Sequence, residues 1–486
     1  KGLRRMSRTL RFAVAGTDCC GYALATAKQG LCDMRSQRGS RGVLQEPQMR
    51  EEGQGKESVC GFENGRGARH EYDWSSGMNV LMVTTSFPRY DGDFSGIFVK
   101  QLALSLVEQG QMLTVLAPSD ASIRKTTDSD SIDVHYFRYF LRRGEIFFYR
   151  PAGGLPARLT SLTPPVLLGG PVLLSLFWNL LWRIRKYDII HCQWLPTALL
   201  AGPLCRFFRK RLVVSARGSD FNFLRKSRAG RYLLSSIVRH ADCIVTVNRS
   251  FYQELAGFVG NHGTDVVYIP NGVRCDKRVK HTLSARPSSS PFRLIFVGNI
   301  TKRKGLIELR AALKELGRDG VDVTLTLIGR EAGSREKWFS SWLADTEAPP
   351  IDFRGQMDHG DVIKEISGHD LLVLPSHSEG RPNVILEAMA AYTPVLATQL
   401  PGIMEIIEHR KNGWLVPPGD AAALRDGIRW CARHPDSLAQ FAARSQQCLF
   451  DLELTWDACA SKHISVYSQL MGSGISRNIG HVRADL

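Results

Sequence analysis

From Asn79 onward the chain alternates short apolar runs of strand length with longer stretches whose apolar residues recur every three or four positions. A run buried on both faces and followed by an amphipathic helix builds a parallel sheet wound on both sides. In the first series Asn79–Thr85, Met112–Ala117, a run near Val134–Tyr139, Asp188–Cys192, Leu212–Ser215, Cys243–Val247 and Val266–Ile269 read as strands, and Phe94–Gln109 as a helix. The series ends at IPNGV. Ser284–Pro291, SARPSSSP, is aperiodic and has the composition of a linker. A second series follows, with strands at Leu294–Val297, Thr324–Ile328, Ile351–Phe353, Leu371–Leu374 and Val395–Ala397 and helical patterns such as Gly305–Leu316. The expected fold is α/β, two tandem Rossmann-like domains facing across a cleft, with the first at 78–272, a linker at 273–290 and the second at 291–452.

A chain of 486 residues suits two such cores. Residues 1–77 mix Arg, Gly, Gln and Ser with few apolar runs, and are expected to be a disordered or non-native upstream segment, the folded protein starting at Met78. A formal charge of +16 favours polyanionic surroundings: nucleic acid, an anionic membrane face or phosphorylated substrates. No RNA-binding signature, zinc-finger spacing or basic heptad helix is present, so no nucleic-acid partner is expected. The 11 cysteines are scattered without CxxC spacing, the pattern of a reducing compartment, and a cytoplasmic location follows as an expectation.

The most apolar window, Val166–Trp182, is interrupted by Gly169, Gly170, Pro171 and Asn179 and flanked by Arg142, Arg143, Arg183, Arg185 and Lys186. Three readings stay open: a helix packed on the first sheet, an interfacial helix lying on anionic lipid, or a span at the short limit of about 17 residues. The interfacial reading makes the protein peripheral on the inner face of a membrane.

After the strand Leu371–Leu374 the chain turns through SEGRPN into the helical pattern VILEAMAA. A proline in the first turn and free N–H groups from about Asn383 make the helix start an anion site, and Glu387, one turn in, can accept bonds from a ribose diol. Glu379 stands at the carboxyl end of the strand, where ligands of open parallel sheets collect. No DxD has a useful context, Asp128 and Asp130 lying in a polar loop with no strand beside it, so no metal site is expected. No GxGxxG follows a strand, and nicotinamide chemistry has no support.

The segment PSHSEGRPNVILEAMAAYTPVLAT, with PGIMEII and NGWLVPPGD after it, resembles the nucleotide-sugar region of family 4 retaining glycosyltransferases, whose fold is called GT-B. FVGNITKRKG is similar to that family's glycine and basic loop. The resemblance implies a donor site at Gly298, Asn299, Lys304, Glu379, Gly380, Arg381, Pro382, Asn383, Val384 and Glu387, with Lys304 clamping the diphosphate. Many relatives carry Arg at the position of Asn299; Lys302 or Arg303 could take over that charge.

DGDFSGIFVKQLALSL resembles the family's glycine loop, which places Gly92 on the acceptor side and Gly96 against the leaving diphosphate. IIHCQW and ARGSD resemble acceptor-side segments, implying Asp220, from IPNGV Asn271, and His191, which also reads as a structural residue at a strand end. Where the family has a histidine before the glycine this chain has Arg217, which cannot act as a base but can neutralise a phosphate-bearing group. LTWDACASKHISVYSQL, 453–471, resembles the final helix that returns to the first domain, leaving 472–486 as a tail.

The implied activity is that of a retaining, metal-independent hexosyl- or related transferase. It would move a sugar from a nucleoside diphosphate sugar to a hydroxyl of a glycan or lipid-linked acceptor, in lipid-linked glycan or envelope polysaccharide synthesis. Glu379, Lys304 and Arg217 are the expected catalytic residues, and no cofactor is implied. A catalytically degenerate sugar-nucleotide-binding protein and a nucleotide-sugar epimerase of the same shape are the alternatives.

Overall fold

A computed structural model describes residues 77–123, 131–139, 165–217, 219–260, 263–275, 290–331, 337–343 and 348–472. The upstream segment through residue 76, Asp128 and Asp130, Arg142 and Arg143, nearly all of the linker and the tail from residue 473 lie outside these residues.

The first sheet has seven parallel strands: β1 (Asn79–Val83), β2 (Met112–Pro118), β3 (Asp133–Phe137), β4 (Ile189–Cys192), β5 (Arg211–Ala216), β6 (Cys243–Thr246) and β7 (Asp265–Tyr268), in the order β3-β2-β1-β4-β5-β6-β7. The second has six, also parallel: β8 (Phe292–Val297), β9 (Val323–Ile328), β10 (Ile351–Gly355), β11 (Leu371–Leu374), β12 (Val395–Thr398) and β13 (Trp414–Val416), in the order β10-β9-β8-β11-β12-β13. Register follows burial: Val80, fully buried, lies between Leu113 of β2 and Ile189 of β4. Each sheet changes its direction of growth beside its first strand, between β1 and β4 and between β8 and β11. These are the points where an open parallel sheet leaves a crevice at the strand carboxyl ends.

Two apolar layers cover the first sheet. On one face Leu81 and Val83 meet Leu180, Leu195, Ala198 and Ile237 of the covering helices. On the other, Val80 and Met82 meet Leu102 and Leu106 of the helix Ile97–Glu108 and Tyr467 of the last helix, Trp456–Gly472. That last helix therefore belongs to the layers of the first sheet although it follows the second in sequence. The second sheet and its helices form one continuous core.

The apolar run is the helix Pro165–Arg183. Val172, Leu176 and Leu180 face the sheet and are buried, so the sheet-packed reading describes it, while Leu174, Trp178 and Trp182 lie on the opposite side. Among the described residues no helix is long and apolar enough to cross a membrane. The sequence reading omitted β13. Three residues between Asn412-Gly413 and Pro417-Pro418 carry no measurable period.

Candidate functional site

The strands flanking the second switch point end in the turns that carry the charged residues. Beyond β8, Gly298 and Asn299 lead to a 3₁₀ turn at Lys302–Lys304; beyond β11, the segment from Pro375 to Pro382 crosses to the helix Asn383–Ala390. Lys304 Nζ donates to Glu379 Oε1 at 2.5 Å, and the buried Ser376 Oγ donates to the same oxygen at 2.7 Å. An ammonium and a carboxylate are thereby fixed at one point of the crevice, both side chains largely shielded from solvent. Pro382 precedes the helix without a side-chain cap, so its first N–H groups stay available to an anion. Lys302, Arg303 and Asn299 are exposed.

Glu387 lies one turn further on and lines a cavity of about 450 Å³ together with Phe98 and Gln101 of the first domain and His359, Asn383 and Trp456. Burial pushes its carboxyl up to about 7. The nearest basic group, His359 Nδ1, is 4.0 Å away and is itself biased to the neutral form by burial.

The first domain closes over this surface. Gly96 caps the helix Ile97–Glu108 with φ 72°, and a Cβ there would stand 2.3 Å from the Ser86 carbonyl oxygen, so the loop needs glycine at this point. Gly92 packs against the Asp358 carboxylate, and the Phe94 ring meets His359 edge-on at 5.8 Å. On the other side of the crevice the Arg381 side chain donates to Tyr268 Oη and lies 3.5 Å from Glu405, whose second oxygen accepts the Arg249 N–H at 3.0 Å. The turn from Glu379 to Asn383 is thus tied to the first domain as well as to its own sheet.

Arg217 stands between the two halves. Its guanidinium stacks on Phe98 at 4.7 Å, donates to Gln193 Oε1, and donates to Asn271 Oδ1 at 2.7 Å. Asn271 in turn donates to Asn383 Oδ1 at 3.2 Å, at the start of the helix Asn383–Ala390. Burial lowers the guanidinium pKa to about 10, which leaves it cationic at neutral pH. Its Nε has no partner, and among the described residues no carboxylate forms an ion pair with it.

Two of the residues named on the acceptor side turn inward. His191 is fully buried beneath the crevice, with Nδ1 2.7 Å from Tyr467 Oη and Nε2 2.9 Å from Ser215 Oγ. Burial drives its pKa well below the usual value and keeps it neutral. Asp220 also turns inward, where its carboxylate accepts the N–H groups of Leu195, Arg217 and Phe221 at 2.9 to 3.0 Å. Both residues support the loop that carries Arg217. Gln193, Phe98 and His359 enter the site without a signal of their own in the sequence, since each is an ordinary residue of a strand end or helix start. Ser376 carried a weak one, its place in the strand-turn-helix segment.

Residues 95–277 match the family described as Glycosyltransferase Family 4, and residues 284–447 match Glycosyl transferases group 1. A glycogen synthase of Mycobacterium tuberculosis is 26% identical over 398 residues, 80% of this chain and 94% of that protein. Among solved structures, sucrose-phosphate synthase from Thermosynechococcus elongatus superposes with a TM-score of 0.63 at 18% identity, over 82% of this chain and all of that one. Anabaena Alr3699/HepE, solved in complex with UDP-glucose, superposes with a TM-score of 0.59 at 17% identity, over 82% of this chain and all of that one. The first match spans β2 to β7 and the second β8 to β13, and the chain belongs to the GT-B glycosyltransferases of family 4.

Proposed function

We propose that the second domain binds a nucleoside diphosphate sugar and that the first presents an acceptor hydroxyl to it, with transfer retaining the anomeric configuration. The observation that carries this reading is the Lys304–Glu379 pair at the turn that leads into the open start of the helix Asn383–Ala390, the same helix whose Asn383 and Glu387 line a cavity with Ile97 and Phe98 of the first domain. UDP-glucose in the Anabaena structure supports the class of donor.

Breaking the bond from the anomeric carbon to the phosphate oxygen builds negative charge on the leaving diphosphate and positive charge on the sugar. Fixed donors that need not reorganise are the main requirement. Lys304, the N–H groups of the segment Arg381–Val384 and the Gly96 loop supply them, and Glu379 orients the sugar hydroxyls once Lys304 has turned to the phosphate. Glu387 accepts from the ribose. The acceptor attacks from the face the diphosphate leaves, and the leaving oxygen takes its proton, so no protein nucleophile is needed. Arg217 adds a cation from the first domain, so full neutralisation requires the closed cleft.

Calorimetric titration with a panel of nucleoside diphosphate sugars, paired with an acceptor assay, tests the proposal. Donor binding with turnover is expected. Binding without turnover on any acceptor would leave a sugar-nucleotide-binding protein, and donor conversion without an acceptor would leave an epimerase. The preferred acceptor is a lipid-linked or envelope glycan, in keeping with the chain's positive charge.

Two predictions attach to these residues. Arg217→Gln should lower kcat by about 10- to 100-fold, the range of a lost charged hydrogen bond, with the donor KM changing less and Arg217→Lys recovering part of the loss. A kcat equal to wild type in Arg217→Gln would remove the residue from the chemistry. Glu387→Ala should raise the donor KM strongly, and Glu387 should also set a pH dependence. A ribose diol needs an ionised carboxylate as acceptor, so donor affinity should climb as pH rises through about 7, and Glu387→Gln should flatten that profile. The stability term has the opposite sign. A carboxyl whose pKa is raised on folding favours the native state at low pH, and that contribution fades as pH rises through about 7.

A further inference from the structure

The first sheet carries an outer helical face that the transfer chemistry does not use. The helices Pro165–Arg183, Leu195–Phe208 and Arg228–His240 lie side by side over one side of the sheet, the middle one so close to the third that a Cβ on Gly202 would stand 2.7 Å from the His240 Cβ. Their inward residues already fill the core. On the outside, large apolar side chains remain in water: Trp182 is 75% exposed, Phe207 77% and Tyr232 70%, and Leu174 and Trp178 continue the stripe. A monomeric surface seldom leaves so many large rings uncovered together.

The charge on this face is one-sided. Of the thirteen Arg and Lys residues between Pro165 and His240, Arg217 stands in the crevice and Arg211 and Arg225 pair with Asp242 and Glu254; the only acids within the stretch are Asp188 and Asp220. Both acids are spent on the backbone, Asp188 accepting the Asn79 N–H and Asp220 holding its own loop. Lys186, Arg206 and Arg209 are exposed beside Trp182 and Phe207, and among the described residues none of the three pairs with a carboxylate. Arg185 joins the ends of two helices by stacking on Phe208 at 4.8 Å.

We infer that this three-helix face docks on an anionic lipid surface, the rings entering the headgroup region and the cations meeting lipid phosphates. Aromatic rings that are apolar at one end and polar at the other favour that depth, and long basic side chains reach from it to the charged layer. A protein partner of ordinary composition would need an acidic patch as extensive as this basic one, whereas an anionic leaflet presents that charge everywhere. No helix of the described residues is built to span, so the contact is lateral. The face covers the side of the sheet while the crevice opens at the strand carboxyl ends, so docking leaves the crevice free. The inference holds whichever donor the crevice takes.

Flotation of the full chain with vesicles of phosphatidylcholine alone and of phosphatidylcholine mixed with phosphatidylglycerol tests it. The protein is expected to float with the mixed vesicles, at least about 10-fold less with the neutral ones, and less as salt is raised. The triple variant K186E/R206E/R209E should weaken anionic binding by about 100-fold, and W178S/W182S by about 10-fold, both with wild-type circular dichroism and donor affinity. Donor affinity is read separately, so loss of flotation does not bear on the transferase reading, and failed donor binding does not bear on this one. The inference is overturned if the wild type ignores anionic vesicles, if both variants bind as the wild type does, or if the tryptophan variant instead abolishes self-association.

Discussion

Replacing Lys304 with alanine is expected to lower kcat by about 10²- to 10³-fold, the cost of removing one fixed group that stabilises developing negative charge. In the structure its ammonium donates to Glu379 at 2.5 Å, with 18% and 12% of the two side chains exposed. The substitution therefore removes the cation and also releases the carboxylate that shares its site. Two measurements separate these effects. Initial rates at saturating donor report the loss of charge, while a thermal melt reports the broken pair, whose contribution at a partly exposed position is small. If kcat stays within about threefold of wild type while the melting temperature falls, Lys304 is a structural partner of Glu379 and the leaving group draws its charge from elsewhere.

Gly402→Ala should have the second largest effect, through geometry alone. Gly402 is buried in the short helix Pro401–Met404, and a Cβ there would lie 1.5 Å from the Gly380 carbonyl oxygen and 2.7 Å from its carbon. The obstruction is backbone, so the segment Gly380–Arg381 has to move, and it is the segment whose N–H groups and Arg381 side chain line the crevice. A displacement near 1 Å at a site of positioned donors costs about 10²-fold in rate, and an extra methyl in a filled space costs about 1–3 kcal/mol of stability. The expected result is a kcat/KM down by about 100-fold, a raised donor Kd by calorimetry and a melting temperature lower by several degrees. Gly257→Ala, whose Cβ would meet no atom within 4 Å on the helix Arg249–Val259, is the control and should leave all three near wild type. Unaltered donor binding in Gly402→Ala would mean that the turn tolerates displacement.

The strands of both sheets, β13 excepted, were legible because runs rich in apolar residues need no distant information. Leu371–Leu374 matches its predicted bounds and Asn79–Val83 falls short of them by two residues. The turn after Leu374 was legible for the same reason: Pro382 and the apolar positions of the following helix act within one turn of the chain. The direction of side chains was not legible. Asp220 and His191 occupy segments that line the crevice, yet both turn inward, since buried N–H groups and hydroxyls within reach satisfy them more fully than water would. Whether a polar residue at a strand end looks out or in depends on what packs beneath it, and for His191 that is Tyr467, 276 positions away.

The sequence by itself determined two parallel sheets, the crevice at their carboxyl ends and the open helix start on the second of them, while the cationic loop beside it was implied only by the family resemblance. Local chemistry suffices for those. Only the tertiary structure decided the contacts that join the halves: Arg217 to Asn271 and on to Asn383, Arg381 to Tyr268, and the enclosure of Glu387 that moves its carboxyl to about 7. Those contacts link residues of two domains, as in the 113 positions separating Tyr268 from Arg381, and a guanidinium finds its partner only after both sheets have formed and met.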